Sequence, residues 1–224
     1  MCTRPVLFPS VLGGGAVVFA LYLWSLVAGP AQVAPFTHGC DDMRSQLWRL
    51  WTYQFLPVSW LHMGLNLAVH LVLGVPVNIV HGDITFLLLT QGLAVPLGAL
   101  VCGFSNAYQV VSATLAGTTA SVYALVGLYT GNLLLNFGDS THGLIRREFR
   151  LLMLLFVLGL EMLARSLEPN PENSTGLHWG GFVMGLFFSV VAIRNLKMTH
   201  FERTFLIPTV TWLGAAFVFF SIGW

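Results

Sequence analysis

The chain has 224 residues, of which 56% are hydrophobic and 8% are charged, and its formal net charge is +1. Soluble domains carry about 25% charged residues, so this composition cannot supply a water-facing surface. The near-neutral charge also excludes a polybasic nucleic-acid-binding protein. We therefore expect an integral membrane protein with no nucleic-acid partner.

The three cysteines, Cys2, Cys40 and Cys102, stand at unrelated spacings. Such spacings match no metal-binding or redox motif, so the thiols fit ordinary small apolar positions. We expect neither a metal ion nor a cofactor.

Seven apolar stretches are long enough to cross a membrane, since a spanning helix needs about 20 mainly apolar residues. In chain order they are 10–29, 61–81, 84–104, 113–137, 149–166, 177–194 and 204–223. No linker or low-complexity segment separates them. The predicted fold class is therefore an all-α polytopic membrane protein with a single domain, 1–224, made of a core at 10–196 and an additional C-terminal helix at 204–223.

The connector between the first two stretches, 30–60, is too polar to span but contains "QLWRLWTYQFLPVSW". Trp and Tyr favour the membrane–water interface. We expect this loop to lie half-buried at that interface.

The distribution of Lys and Arg predicts the orientation in the membrane, because cytosolic connections carry the excess. One side holds seven of these residues, namely Arg4, Arg146, Arg147, Arg150, Arg194, Lys197 and Arg203. The other side holds three, namely Arg44, Arg49 and Arg165. The N-terminus is thus predicted to face the cytosol or an equivalent compartment, and the interfacial loop to face the opposite side.

Polar side chains stand at the starts of three predicted spans, all on that opposite side. The stretch 61–81 opens with "WLHMGLN", in which His62 and Asn66 lie four residues apart and share a helix face. The stretch 113–137 contains Thr119 and, one turn later, Tyr123. Polar groups inside lipid are costly unless they have partners, so these positions indicate a site.

The stretch 177–194 opens with "HWGGFVMG", in which His178 precedes Gly181 and Gly185. A Gly-x-x-x-Gly pair lets a neighbouring helix approach closely. An imidazole base, a hydroxyl and amide donors are the groups that hydrolysis requires. Each of these residues taken alone also fits helix packing, and the sequence leaves that alternative open.

Four segments of the chain resemble the rhomboid intramembrane proteases and follow one another in the order found in that family. They are "WRLWTYQFL", "WLHMGLN", "GTTASVYALVG" and "HWGGFVMG", and the resemblance covers about 44–196. It implies a rhomboid-like six-helix core. The separate seventh helix is similar to the eukaryotic secretase-type branch.

The resemblance also implies roles for individual residues. His178 matches the catalytic base, Tyr123 the ring that packs on that base, and His62 and Asn66 the oxyanion side. The nucleophilic serine aligns with Thr119. The residues matching structural positions of the family are Trp48 and Arg49 in the first loop, Gly117 at the start of the nucleophile motif, and Gly181 and Gly185.

A threonine at the nucleophile position favours an inactive protein. Threonine can be a nucleophile, but its β-branch restricts the rotamer, and a shift of about 1 Å can cost about 100-fold in rate. Ser121 is turned about 200° away around a helix and cannot replace the serine. Pro57 stands where many family members have His.

We therefore predict a rhomboid-like pseudoprotease, with an active serine-type intramembrane endopeptidase using Thr119 and His178 as the alternative. The resemblance implies that such a protein binds transmembrane segments of other proteins. It would act in membrane-protein quality control, in translocation or as a subunit of a membrane complex, with the lipid bilayer as its surroundings. The membrane is either an endomembrane or the mitochondrial inner membrane.

Two further positions are of interest. Asn173-Ser174-Thr175 fits the glycosylation acceptor pattern and would be occupied only on the secretory route. Glu161 is the one acid in the middle of a predicted span. We expect it to face the bundle interior or to pair locally, and assign it no chemistry.

Overall fold

The computed structural model describes residues 9–28, 38–39, 48–56, 59–99, 114–115, 117–138, 146–167, 174–192, 197, 200, 202–212 and 214–215. Pro57 and the acceptor Asn173 lie outside these residues. So do most of the predicted interfacial loop before Trp48 and the end of the stretch 204–223.

The described chain is almost entirely helical. Its longer helices are α1 Pro9–Val27, α3 Trp60–His81, α5 Thr119–Leu135, α6 Arg147–Leu167 and α7 Ser174–Val191, and a short α2, Arg49–Thr52, precedes a 3₁₀ turn at Tyr53–Phe55. Helix α4 begins with Asp83–Leu87, continues as a π-helical segment, Leu88–Leu93, and is described as α-helix again over 94–99. A second π-helical segment, Glu202–Leu206, leads into helix at 207–212.

Two short strands, β1 His38–Gly39 and β2 Thr114–Leu115, pair antiparallel. The predicted helical stretch 113–137 is therefore wrong at its start, and α5 begins at Thr119. The physical reason lies at Gly117, whose φ of +94° is a left-handed conformation that only glycine adopts readily. The chain turns at this glycine before the helix begins.

The predicted all-helical fold class is confirmed, and each longer helix overlaps one of the predicted stretches. Among the described residues, only α3 is long and apolar enough to cross a membrane by length and composition. Four shorter apolar helices accompany it, at Leu12–Val27, Asp83–Ala99, Thr119–Leu135 and Leu177–Val191. The count of seven spans stays a prediction.

Helix α5 forms the centre of the bundle, because it is buried nearly all round and packs backbone to backbone against α7. A Cβ on Gly185 would overlap the carbonyl oxygen of Ala124, and a Cβ on Gly181 would overlap that of Ala120. Glycine at these two positions therefore sets how closely α5 and α7 approach.

The segment 48–56 is tied to the start of α5 and to α4. Tyr53 is fully buried, its hydroxyl donates to the carbonyl of Val95 at 3.2 Å, and its own carbonyl accepts from the amide of Gly117 at 3.1 Å. The indole of Trp51 donates to the carbonyl of Gly92 at 2.8 Å. These bonds hold the turn that precedes Thr119.

The Trp48–Arg49 pair lies in this segment. Its guanidinium carbon is 5.4 Å from the Trp48 ring centroid, and Trp48 itself is exposed. An exposed indole beside a cation suits the membrane–water interface.

Candidate active site

Helix α3 presents a row of polar side chains towards the start of α5 and towards α4. The hydroxyl of Ser59 accepts from the backbone amide of His62 at 3.1 Å, which caps the helix and fixes where it begins. His62, Asn66 and His70 then follow at intervals of four residues, so they share one face.

Thr119 is the first residue of α5 and is 1% exposed. Its hydroxyl oxygen lies 2.9 Å from Nε2 of His62, a hydrogen bond whose direction depends on the imidazole tautomer. One residue earlier, the hydroxyl of Thr118 accepts from the amide nitrogen of Asn66 at 2.9 Å. Two neighbouring hydroxyls thus join the start of α5 to α3.

His178 lies on α7 and is nearly buried. The ring of Tyr123 packs on it, with centroids 4.2 Å apart and planes tilted by 46°. On its other side, Nε2 is 3.6 Å from a carboxylate oxygen of Glu161 on α6. His178 therefore connects three helices, and the carboxylate beside it is a neighbour that the sequence reasoning did not identify.

The structure pairs Thr119 with His62, whereas the family resemblance implies a pair with His178. Of the described side chains, His62 is the one that hydrogen-bonds to the Thr119 hydroxyl. Thr119 and Tyr123 stand one turn apart on α5, and their side chains contact different helices, α3 and α7. The role of His178 as a base stays a prediction.

Ser121 is fully buried and belongs to a separate network. The amide nitrogen of Gln91, in the π-helical segment of α4, lies 2.6 Å from the Ser121 hydroxyl and 3.2 Å from Nε2 of His70. An amide nitrogen can only donate, so both of these atoms accept. Ser121 thus contacts α4, while Thr119 contacts α3.

The sequence reasoning missed Gln91 and His70. A signal for His70 was available, because it continues the four-residue spacing of His62 and Asn66. Gln91 offered only a polar residue inside an apolar stretch, and π-helical segments occur often at functional sites. No sequence pattern predicted that the Gln91 amide would hydrogen-bond to both α3 and α5.

The arrangement contains one hydroxyl–imidazole pair and one imidazole–carboxylate pair. A hydroxyl bonded to an imidazole is the starting point for a base-activated nucleophile. The Asn66 amide, which would face an oxyanion, already donates to Thr118. Within the described part of the chain, no group of three His, Cys, Asp or Glu side chains could hold a metal ion.

The sequence matches a known protein family over the part of the chain that contains α2 to α7. The Rhomboid domain family matches residues 44–195, which is more than half of the chain. The matched region begins before α2 and extends past the end of α7, so it includes every residue of the site described above.

Individual rhomboid-related proteins are also similar to this chain in sequence. Rhomboid-related protein 3 of Homo sapiens is 28% identical over 193 residues, which cover 82% of this chain and 45% of that protein. Rhomboid-related protein 2 of Mus musculus is 25% identical over 185 residues, covering 82% and 58%. Inactive rhomboid-related protein 2 of Caenorhabditis elegans is 26% identical over 157 residues, covering 70% and 43%. The chain thus spans about half the length of these relatives.

Proposed function

Since the chain belongs to the rhomboid family, whose members are integral membrane proteins, we propose that it is a pseudoprotease that binds transmembrane segments of other proteins. One observation carries the proposal. The hydroxyl at the nucleophile position belongs to Thr119 and is bonded to His62, while His178 faces Glu161. To reach His178, this hydroxyl would have to give up a buried hydrogen bond and move a β-branched side chain in a closed space.

The comparison supports the same conclusion, because one matching relative carries the word inactive in its name. The retained polar residues do not oppose it. His62, Asn66 and Tyr123 each have a partner, and a buried polar network is costly to leave half-satisfied. Such residues stabilise the folded protein even if it cleaves no peptide bond.

Helix α6 offers the surface for a client helix. Its buried side chains among those described are Arg150 and Val157, and much of its remaining surface consists of exposed apolar residues, including Leu155 and Met162. Glu161, which is partly exposed beside the nearly buried His178, adds a polar group to that surface. A client helix with small or weakly polar residues would gain hydrogen bonds there that lipid cannot give.

We place this role in membrane-protein quality control, translocation or a membrane complex, in an endomembrane or the mitochondrial inner membrane. A photo-crosslinking residue at Met162 should capture transmembrane segments of client proteins. The same residue at Leu23 of α1, also exposed but on another helix, serves as the control. Equal capture from both positions would contradict a binding surface on α6.

A second candidate function, intramembrane proteolysis through Thr119, is favoured by one observation. A hydroxyl 2.9 Å from an imidazole has the contact of a nucleophile with its base. If the protein cleaves its substrates, His62 would take the proton of the Thr119 hydroxyl, whereas the family resemblance assigns that role to His178.

Cleavage of a transmembrane reporter separates the two functions. We expect no cleavage by the wild type or by Thr119→Ala, with native partners co-purifying with both. Ser121→Ala is the control for losing one buried hydroxyl outside the site. Cleavage by the wild type that is absent in Thr119→Ala and faster in Thr119→Ser, which lacks the extra methyl, would overturn the pseudoprotease proposal.

A further inference from the structure

A cavity of about 260 Å³ lies between α1, α3 and the π-helical segment of α4. Its walls are mostly apolar and include Val17 of α1 and Met63 and Leu67 of α3. The side chains of Asn66, His70 and Gln91 line it as well. The cavity therefore has an apolar body and a group of neutral polar side chains from two helices.

Each of these polar side chains keeps one atom that makes no internal hydrogen bond. Asn66 uses its amide nitrogen for Thr118, and Gln91 uses its own for Ser121 and His70. Since His70 accepts at Nε2, its neutral ring carries the proton on Nδ1. Among the described residues, the Asn66 oxygen, the Gln91 oxygen and this N–H have no partner.

These three atoms are accessible and not sealed in the core. Within the described chain, the sealed side-chain atoms without a partner belong to Arg49, Thr52 and Gln54 instead. The residues that carry these atoms, Asn66, His70 and Gln91, all line the cavity, which is where an occupant would meet them. The three unused atoms are one donor and two acceptors, the second N–H of Asn66 and the hydroxyl proton of Thr118 add donors, and no charged side chain lines the cavity.

Size and charge restrict the occupant. One turn of a helix about 10 Å wide and 5.4 Å long fills roughly 420 Å³, which exceeds the cavity, so a client helix does not fit. A charged headgroup would lose its hydration without gaining a counter-charge. The volume lies just below the lower end of ligand cavities, about 300 Å³, which suits a small head and the first part of one hydrocarbon chain.

We propose that this cavity binds a single-chain neutral lipid of the monoacylglycerol class. Two hydroxyls of its head donate to the oxygens of Asn66 and Gln91, and a head oxygen accepts from Nδ1 of His70. The hydrocarbon chain lies against α1 and α3. This lipid site is separate from the α6 surface and does not depend on whether the protein cleaves or binds client helices.

The two glycines of α1 supply a matched pair of variants for the test. A Cβ on Gly13 or on Gly14 would meet nothing within 4 Å, so neither position resists a larger side chain. Gly14 lines the cavity and Gly13 does not. Gly14→Leu should therefore fill the cavity, while Gly13→Leu adds the same side chain on the same helix outside it.

The experiment is photolabelling of the purified chain in lipid nanodiscs with a diazirine-bearing monoacylglycerol. We expect labelling of the wild type and of Gly13→Leu, near-complete loss in Gly14→Leu, and about ten-fold weaker labelling in His70→Phe, which keeps a ring but lacks the donor. Labelled peptides should map to α1 or α3. Thermal unfolding of each variant verifies that it is folded.

A diazirine alkane and a diazirine fatty amine of equal chain length separate head recognition from general hydrocarbon contact. Both should label much less than the monoacylglycerol. Equal labelling by all three probes, unchanged labelling in Gly14→Leu, or labelled peptides that contain none of the residues lining the cavity would each overturn the proposal.

Discussion

At the scale of single residues, two side chains of the same chemical type differ according to the partner that each one contacts. Thr119 and Ser121 are hydroxyl residues two positions apart on α5, and both are buried. One contacts an imidazole on α3 and the other an amide on α4. Both hydroxyls join α5 to a neighbouring helix, and only the first has an imidazole as its partner.

The Gln91–Ser121 bond should be measurable as a coupling energy. Gln91→Leu and Ser121→Ala should each lower the free energy of unfolding by about 1 kcal/mol, the order found for polar contacts between membrane helices. The double variant should cost less than the sum of the two, because either change alone already breaks the bond. Denaturation of all four proteins in detergent gives the comparison, and strictly additive losses would contradict this contact.

At the scale of helices, the close packing of α5 on α7 positions the site. Gly181 and Gly185 allow the α7 backbone to reach that of α5, which brings His178 against Tyr123. Thr119 comes into place from the other direction, through the turn at Gly117 and its bond to the 3₁₀ turn. The two halves of the site are thus set by different contacts.

Gly185→Ala tests the first of these contacts. Its Cβ would overlap the Ala124 carbonyl oxygen, so α7 must move away from α5, and we expect a loss of about 1–3 kcal/mol in stability. Gly159→Ala on α6 is the matched control, since its Cβ meets nothing within 4 Å and alanine favours a helix by about 0.8–1 kcal/mol over glycine. Thermal unfolding in detergent should rank Gly185→Ala lowest, and a stable Gly185→Ala would contradict the packing argument.

At the scale of the whole molecule, membership of the rhomboid family makes the chain an integral membrane protein. Its orientation in the membrane stays a prediction that rests on the distribution of Lys and Arg. The site residues at the starts of α3, α5 and α7 would then lie towards the non-cytosolic face.

Tags at the two termini test this orientation and the number of spans together. With seven spans, an N-terminal tag should be exposed on the cytosolic side, and a tag after Trp224 should be protected from protease until the membrane is opened. Digestion of both tags while the membrane is intact would mean an even number of spans. Part of the site would then lie at the opposite membrane face from the one predicted.

The sequence by itself determined the class of molecule and most of the helices. Composition excluded a soluble surface, apolar length located each long helix, and four short motifs identified the family. It also predicted Thr119, His62, Asn66 and His178 as site residues, since they stand within the motifs, and their roles stay predictions. These features are readable because they depend on composition and on neighbours close in the chain.

Only the tertiary structure decided which of these side chains meet. That Thr119 bonds His62, that Glu161 faces His178 and that Gln91 joins Ser121 to His70 follow from contacts between different helices. The start of α5 at Thr119 likewise depends on the backbone angle of Gly117. Helical periodicity gives the face of a side chain within its own helix, but the neighbour across that face is set by how the helices pack.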